Sequence, residues 1–279
     1  MAEVGLFVVP SAENPELTQR QALLADEVGL EYLAVQDHPY QRRYFDTWTL
    51  LSYIAGRTHS IRLVTDVINL PLRLPALLAK SAASLDVLSG GRVEIGIGAG
   101  GFWDAIQAMG GPRRTPKESV DALIEAIAIM RDYWAAEGAI HRRGEHYTVD
   151  GTKGGPRPAH DIGLWIGAYG PRMVRLTGRL GDGWLPSMGG HYLKPDDIPP
   201  MQAAIDEAAR AAGREPSEIK RLVNVMALEG DPASWADELR GIAALGFETL
   251  LVGVPTDAPL DFIRRLGEDV APQLRDAAV

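Results

Sequence analysis

The chain has 279 residues, with 37 acidic side chains against 28 Lys plus Arg and a formal net charge of −9. That balance speaks against a nucleic-acid partner, since phosphate binding wants a basic face. The absence of cysteine excludes disulfides, thiolate catalysis and cysteine-based metal sites.

The composition, 46% apolar and 23% charged, is that of a globular protein. The N-terminal apolar run lacks a basic segment ahead of it and is too short for a signal core or a membrane span. A soluble, cytoplasmic protein with no membrane partner is expected.

Residues 4–9 read as a buried strand. Asn14-Pro15 is an N-cap followed by proline at the first helical position, and that helix runs to about Val28, where Gly29 stops it. A strand over 31–35 ends in Gln36-Asp37-His38-Pro39, and 46–57 is helical. The apolar run Ile61, Leu63, Val64 then meets Thr65, Asp66 and Asn69. From Pro75, apolar residues recur on one helical face through Leu88, and Ser89-Gly90-Gly91 closes that helix. The strand 93–97 empties into Gly98, Gly100 and Gly101. Two parallel strands joined by such a helix share one sheet.

Residues 102–114 read as an irregular connection. Thr115-Pro116-Lys117-Glu118 is a capping box, opening a helix with Val120, Leu123, Ile124, Ile127, Met130 and Trp134 on one face. The glycine-, proline- and histidine-rich stretch 136–161 reads as an insertion with a small hairpin around residues 146–149. Then follow a strand at 164–166, a helix to Leu180, a strand at 183–185, a loop at 187–195 and a helix at 201–212. A strand at 221–228, a helix capped by Asp231-Pro232, a strand at 249–252 and a helix at 260–270 complete the chain. Eight strands alternating with helices predict an α/β fold, a (β/α)8 TIM barrel with an insertion between helix 4 and strand 5. No composition break divides the chain, so 1–279 reads as a single domain.

In such a barrel the ligand site lies at the carboxyl ends of the strands. Residues 96–101 match G-x-G-x-x-G by letter, but strands precede them, a long loop follows, and Asp121 falls on a helix, so the dinucleotide fingerprint fails. The glycines read instead as a loop whose bare backbone admits a flat or phosphorylated ligand. Gly170-Pro171-Arg172 opens a helix whose amides and guanidinium suit a phosphate. Asp37 and His38 follow a strand directly. From the residues alone His38 reads equally as a proton-carrying group and as a structural histidine. His141, His146, His160 and His191 lack metal-ligand spacing, and no lysine sits at a strand's carboxyl end for a Schiff base.

The run IRLVTDVINLPLRLPALLAKSAASLDVLSGGRVEIGIGAGG, with IGAYGPRMVRLTGRLGDGW and the early QDH, resembles the bacterial luciferase-like monooxygenase superfamily. Within it the chain is most similar to the branch that uses the deazaflavin coenzyme F420, including methylenetetrahydromethanopterin reductase. The resemblance implies a TIM barrel that binds F420, or FMN in the alternative, and transfers a hydride to or from a small-molecule substrate. It implies a non-prolyl cis peptide at Asp66-Val67 behind the ring, with Asn69 alongside, and Asp37 or His38 facing the ring. Ala99, Gly100 and Gly101 would pass beside it, and Gly167, Ala168, Tyr169, Gly170 and Arg172 would hold the phosphate side. His38 and Asp37 would be the catalytic pair, and a homodimer would be the assembly.

Sugar-phosphate dehydrogenases of the family carry a glutamate acid after the fourth strand. Here Gly100-Gly101-Phe102-Trp103 stands in its place, so Phe102 and Trp103 imply an apolar or aromatic substrate pocket. The remaining alternatives are an FMN-dependent luciferase-like monooxygenase and a non-catalytic flavin-binding barrel.

Overall fold

Residues 2–276 are described by a computed structural model. The strands that form the barrel are β1 (Glu3–Val8), β2 (Tyr32–Val35), β3 (Arg62–Ile68), β4 (Val93–Ile97), β7 (Leu164–Ile166), β8 (Gly183–Trp184) with its continuation β9 (Ser187–Met188), β10 (Lys220–Val225) and β11 (Thr249–Gly253). All pair in parallel, and β11 pairs with both β10 and β1, which closes the sheet. This is the (β/α)8 barrel the alternation predicts.

The helices start where side chains satisfy the free amides of a first turn. Asn14 accepts from Leu17 N ahead of α1 (Pro15–Glu27), Asp46 from Thr49 N ahead of α2 (Thr47–Ala55), and Asp231 from Ser234 N ahead of α8 (Pro232–Ala243). Both bonds of the Thr115–Glu118 capping box are present at the head of α5 (Pro116–Ala135). The helix α3 (Pro75–Ser89) ends on Gly90 in the left-handed conformation, φ +76°.

Apolar side chains pack in two layers. One lies between sheet and helices; the other fills the barrel with Phe7, Tyr32, Val64, Trp165, Leu185, Leu222 and Leu251. Glycine makes room for the large members. A Cβ at Gly5 would meet Tyr32 Cβ at 2.6 Å, and one at Gly183 would meet Trp165 Cδ1 at 2.7 Å. Interior positions alternate with exterior ones, so Asp66 follows Val64 inward and Asn224 follows Leu222.

Several elements differ from their expected form. Within 102–114 a short helix α4 (Trp103–Ala108) forms without a side-chain cap, anchored by the fully buried Ile106. The hairpin is larger than expected: β5 (Ala139–Arg143) pairs with β6 (Thr148–Lys153), and Glu125 of α5 accepts from the amides of Glu145, His146 and Tyr147. The loop 187–195 contains β9, because Pro186 offers no amide and interrupts the sixth strand, which resumes against β10. The helix α7 (Ile198–Ala211) begins before Met201, after α6 (Pro171–Leu180). The final helical stretch is split into α9 (Pro259–Arg265), a π-helical turn at Leu266–Val270 and α10 (Ala271–Asp276).

Candidate active site at the carboxyl mouth of the barrel

Just past the middle of β3 the Asp66–Val67 peptide is cis, at the position the resemblance implies, and the β3–β4 register shifts between Thr65 and Ile68. Val67 turns toward the barrel interior, against its apolar filling. Two site glycines are explained by that side chain. A Cβ at Gly98 would lie 3.0 Å from Val67 Cγ2, and one at Gly167 3.2 Å from Val67 Cγ1.

Asp66 is 6% exposed. Burial pushes its carboxyl up to about 7, opposed only by a hydrogen bond that Asn224 Nδ2 donates to Oδ1 at 3.0 Å. The same Nδ2 donates to Ser187 Oγ at 3.3 Å, and Ser187 N donates to Tyr169 Oη at 2.9 Å. Among the described residues, Asp66 Oδ2 and Asn224 Oδ1 of this chain, and Asn69 Oδ1 in the turn after β3, are buried with no hydrogen-bond partner. Buried polar atoms are rarely left so. A planar heterocycle with its own donors and acceptors fits such a floor.

Asp37 is held differently. Its side chain is fully buried; Oδ2 accepts from Asn69 N at 2.8 Å and Arg73 Nε at 3.0 Å, and Oδ1 from Arg73 Nη2 at 2.9 Å. Arg73 also reaches Asp46 Oδ2 at 2.7 Å. Asp37 thus ties the end of β2 to the turn after β3 and to the head of α2. His38 stands half-buried beside it, with Nδ1 hydrogen-bonded to the Tyr40 hydroxyl, which leaves Nε2 for a ligand. Burial lowers the imidazole below its usual value against the pull of Asp37, and pushes the Tyr40 hydroxyl up to about 12. Phe102 adopts a left-handed conformation, φ +57°. The residue is 70% exposed and its ring meets His38 edge-on at 5.3 Å. Trp103, the next residue, is half-buried.

On the fourth strand's loop, Gly100 has φ +100°, where a Cβ would also strike Pro71 Cγ at 2.7 Å; Gly101 borders open space and Ala99 is half-buried. Across the mouth, Ala168 is buried and its carbonyl accepts from Trp184 Nε1 at 3.0 Å. Tyr169 stacks with Tyr192 at 6.2 Å. Gly170 caps α6 with no side-chain hydrogen bond and with open space beside it.

The Arg172 guanidinium does not turn to the mouth. It donates to Asp121 and to Lys117 O on α5, because a carboxylate stands within its reach there. What α6 leaves at its start are backbone amides, which attract anions.

The structure therefore gathers Asp66, Val67, Gly167 and Tyr169 into one group, and Asp37, His38, Asn69 and Phe102 into another. Arg73, Tyr40 and Asn224 join them without having been singled out in the sequence. A lone arginine in LPLRLP and a lone asparagine in RLVNV were the available signals, since a polar residue in an apolar run demands a partner.

Compared with known proteins, residues 2–268 match the model of the family described as luciferase-like monooxygenase. An F420-dependent glucose-6-phosphate dehydrogenase of Intrasporangium calvum is 26% identical, covering 99% of each chain. Another, of Mycolicibacterium fortuitum, is 31% identical over 83% of this chain and 71% of its own. Among solved structures, an F420-dependent secondary alcohol dehydrogenase with an F420–acetone adduct superposes with a TM-score of 0.87 at 20% identity, covering 99% of each chain. That last likeness is one of fold.

Proposed function

Since the chain belongs to the luciferase-like monooxygenase family, we propose that it is an F420-dependent oxidoreductase moving a hydride between the deazaflavin and a small organic substrate. The F420-dependent relatives support the choice of cofactor. The observation that carries the reading is the polar lining of the mouth, with buried oxygens of Asp66, Asn69 and Asn224 that have no partner among the described residues.

Asp66, Val67, Asn69 and the loop Ala99-Gly100-Gly101 would hold the ring, and Gly167, Ala168, Tyr169 and the free amides at Gly170 the phosphate side, with Arg172, engaged by Asp121, left out of the phosphate contact. The bound deazaflavin supplies hydride chemistry; the chain orients the partners and excludes water. His38 is the proton-carrying group. Through Nε2 it gives a proton to the heteroatom of the reduced substrate and takes it back in the oxidation direction. Asp37 acts by position, since Arg73 and Asn69 occupy its oxygens. Phe102 and Trp103 form an apolar wall suited to an apolar or aromatic substrate.

His38→Ala is expected to lower turnover about 100-fold or more while F420 affinity, read from the ring's absorbance, stays as it was. Unchanged turnover overturns the proton role. Titration of the apoprotein with both cofactors decides the other issue: tight FMN binding with oxygen uptake sinks the F420 reading.

The proposal takes the whole chain as one domain working in the cytoplasm; no helix among the described residues is long and apolar enough to cross a membrane. It also includes a homodimer. Leu74, Leu77 and Leu88 on and before α3, 68%, 61% and 84% exposed, are the face such an interface would cover. Sedimentation at twice the chain's 30.2 kDa mass checks this.

A further inference from the structure

The hydrogen bond between Asp66 and Asn224 spans the barrel. In the strand order β11-β1-β2-β3-β4-β7-β8-β10, with β11 also paired to β10, β3 and β10 stand diametrically opposite. Beneath the pair the interior is apolar, filled by Val64, Leu185, Leu222 and Leu251. The pair is therefore the floor on which anything entering the mouth rests. One carboxyl oxygen is engaged by Asn224; the other, Oδ2, has no hydrogen-bond partner among the described residues. Among the described residues no Lys or Arg hydrogen-bonds this carboxyl. A lone buried carboxylate next to apolar side chains is costly, and a neutral carboxyl is the form such a site accepts.

We propose that Asp66 is a protonated acid that donates its Oδ2 hydroxyl to an acceptor atom of the bound deazaflavin ring, so that ring binding is linked to proton occupancy of this carboxyl. The inference rests on the F420 reading of the mouth. Asp66 is here a ring-binding group, not a relay to the substrate, and it is distinct from His38, which lies at the end of β2.

The neighbouring ionisable groups separate cleanly. His38, held below its usual 6.5 by burial, titrates on the acid side. Asp37 is committed to Arg73. The Tyr169 hydroxyl, reached through Ser187, is held above its usual 10.0 by burial. A slope in ring affinity near neutral pH that is present in the parent and absent from Asp66→Asn therefore reports Asp66, whose carboxyl burial pushes up to about 7.

The test measures F420 affinity of the full-length chain from pH 5 to 9 (roughly two units either side of neutrality), together with the infrared carbonyl band of protonated carboxyl in the unliganded protein. Affinity is expected to be level below about pH 7 and to weaken about tenfold per unit above it. Asp66→Asn, which keeps a donor on the same frame, should bind with no such slope; Asp66→Ala should bind at least tenfold more weakly at pH 6. The protonated-carboxyl band should persist above pH 5 in the parent and be missing from Asp66→Asn. Level affinity across the range, or a band already lost at pH 5, overturns the inference while leaving the F420 reading in place. No F420 binding at any pH, with the band intact, sinks the F420 reading and the ring contact with it.

Discussion

The two ends of the barrel carry similar polar side chains and use them in opposite ways. At the amino end, Glu3 Oε2 accepts from Tyr32 Oη at 2.9 Å, Lys220 Nζ at 3.1 Å and Thr249 Oγ1 at 3.2 Å. Lys220 and Arg62 each donate to Tyr32 Oη at 3.0 Å, and Glu94 Oε2 accepts from Gly163 N at 2.7 Å. These groups satisfy one another and close the bottom of the sheet. At the carboxyl end, Asp66, Asn69 and Asn224 each keep a buried oxygen without a partner among the described residues. A closed network stabilises and an open one is available to a ligand, which supports the carboxyl mouth as the candidate site.

The contrast can be broken by separating stability from binding. The largest effect is expected at Trp165, 2% exposed in the lower barrel and packed edge-on against Tyr32 at 5.7 Å. Trp165→Ala should cost about 4 kcal/mol of unfolding free energy in denaturant, with F420 affinity of the folded protein retained. Next comes Arg73→Ala at the mouth. It strands the buried Asp37 carboxylate, so about 3 kcal/mol is expected, and here F420 affinity should fall with stability. Adding Asp37→Asn to that variant should recover most of the stability, and failure to recover would deny the pairing its role.

The smallest effect belongs to His160 at the lower end. Its Nδ1 lies 2.8 Å from Asp86 Oδ1 and its Nε2 3.5 Å from Glu94 Oε1. Hydrogen bonding to Glu94, with Asp86 adding and burial opposing, raises the imidazole from 6.5 to about 8. A raised folded value means stabilisation fully present below about pH 6.5 and lost as pH rises through about 8. With the ring partly open to water the gain is about 1 kcal/mol. His160→Gln should lower the thermal midpoint slightly at pH 6 and leave it unmoved at pH 9 (above the whole window by about a unit), with turnover untouched.

Much of the framework was legible in the residues themselves, because its signals are local. Caps at Asn14, Thr115 and Asp231, the left-handed stop at Gly90 and the periodicity of α3 and α5 each act within a few positions of themselves. Alternation of strand and helix then leaves a closed parallel sheet as the packing that covers every apolar face. Local signals failed where the chain depends on distant contacts: α4 has no side-chain cap and is anchored by Ile106, and the sixth strand resumes after Pro186 because β10 is there to receive it.

The site divides in the same way. Sequence alone settled which residues stand at the mouth, since strand ends follow from the order of elements: Asp37, His38, Asp66, the glycines of the fourth strand and the start of α6. Only the closed tertiary structure decided what those side chains do. It brought Asn224 to Asp66 across 158 positions of sequence, gave Asp37 to Arg73, and turned Arg172 toward Asp121 and away from the mouth. The physical reason is range: backbone conformation is set by neighbours in the chain, whereas the partner and the charge state of a buried side chain are set by whatever the closing of the barrel places against it.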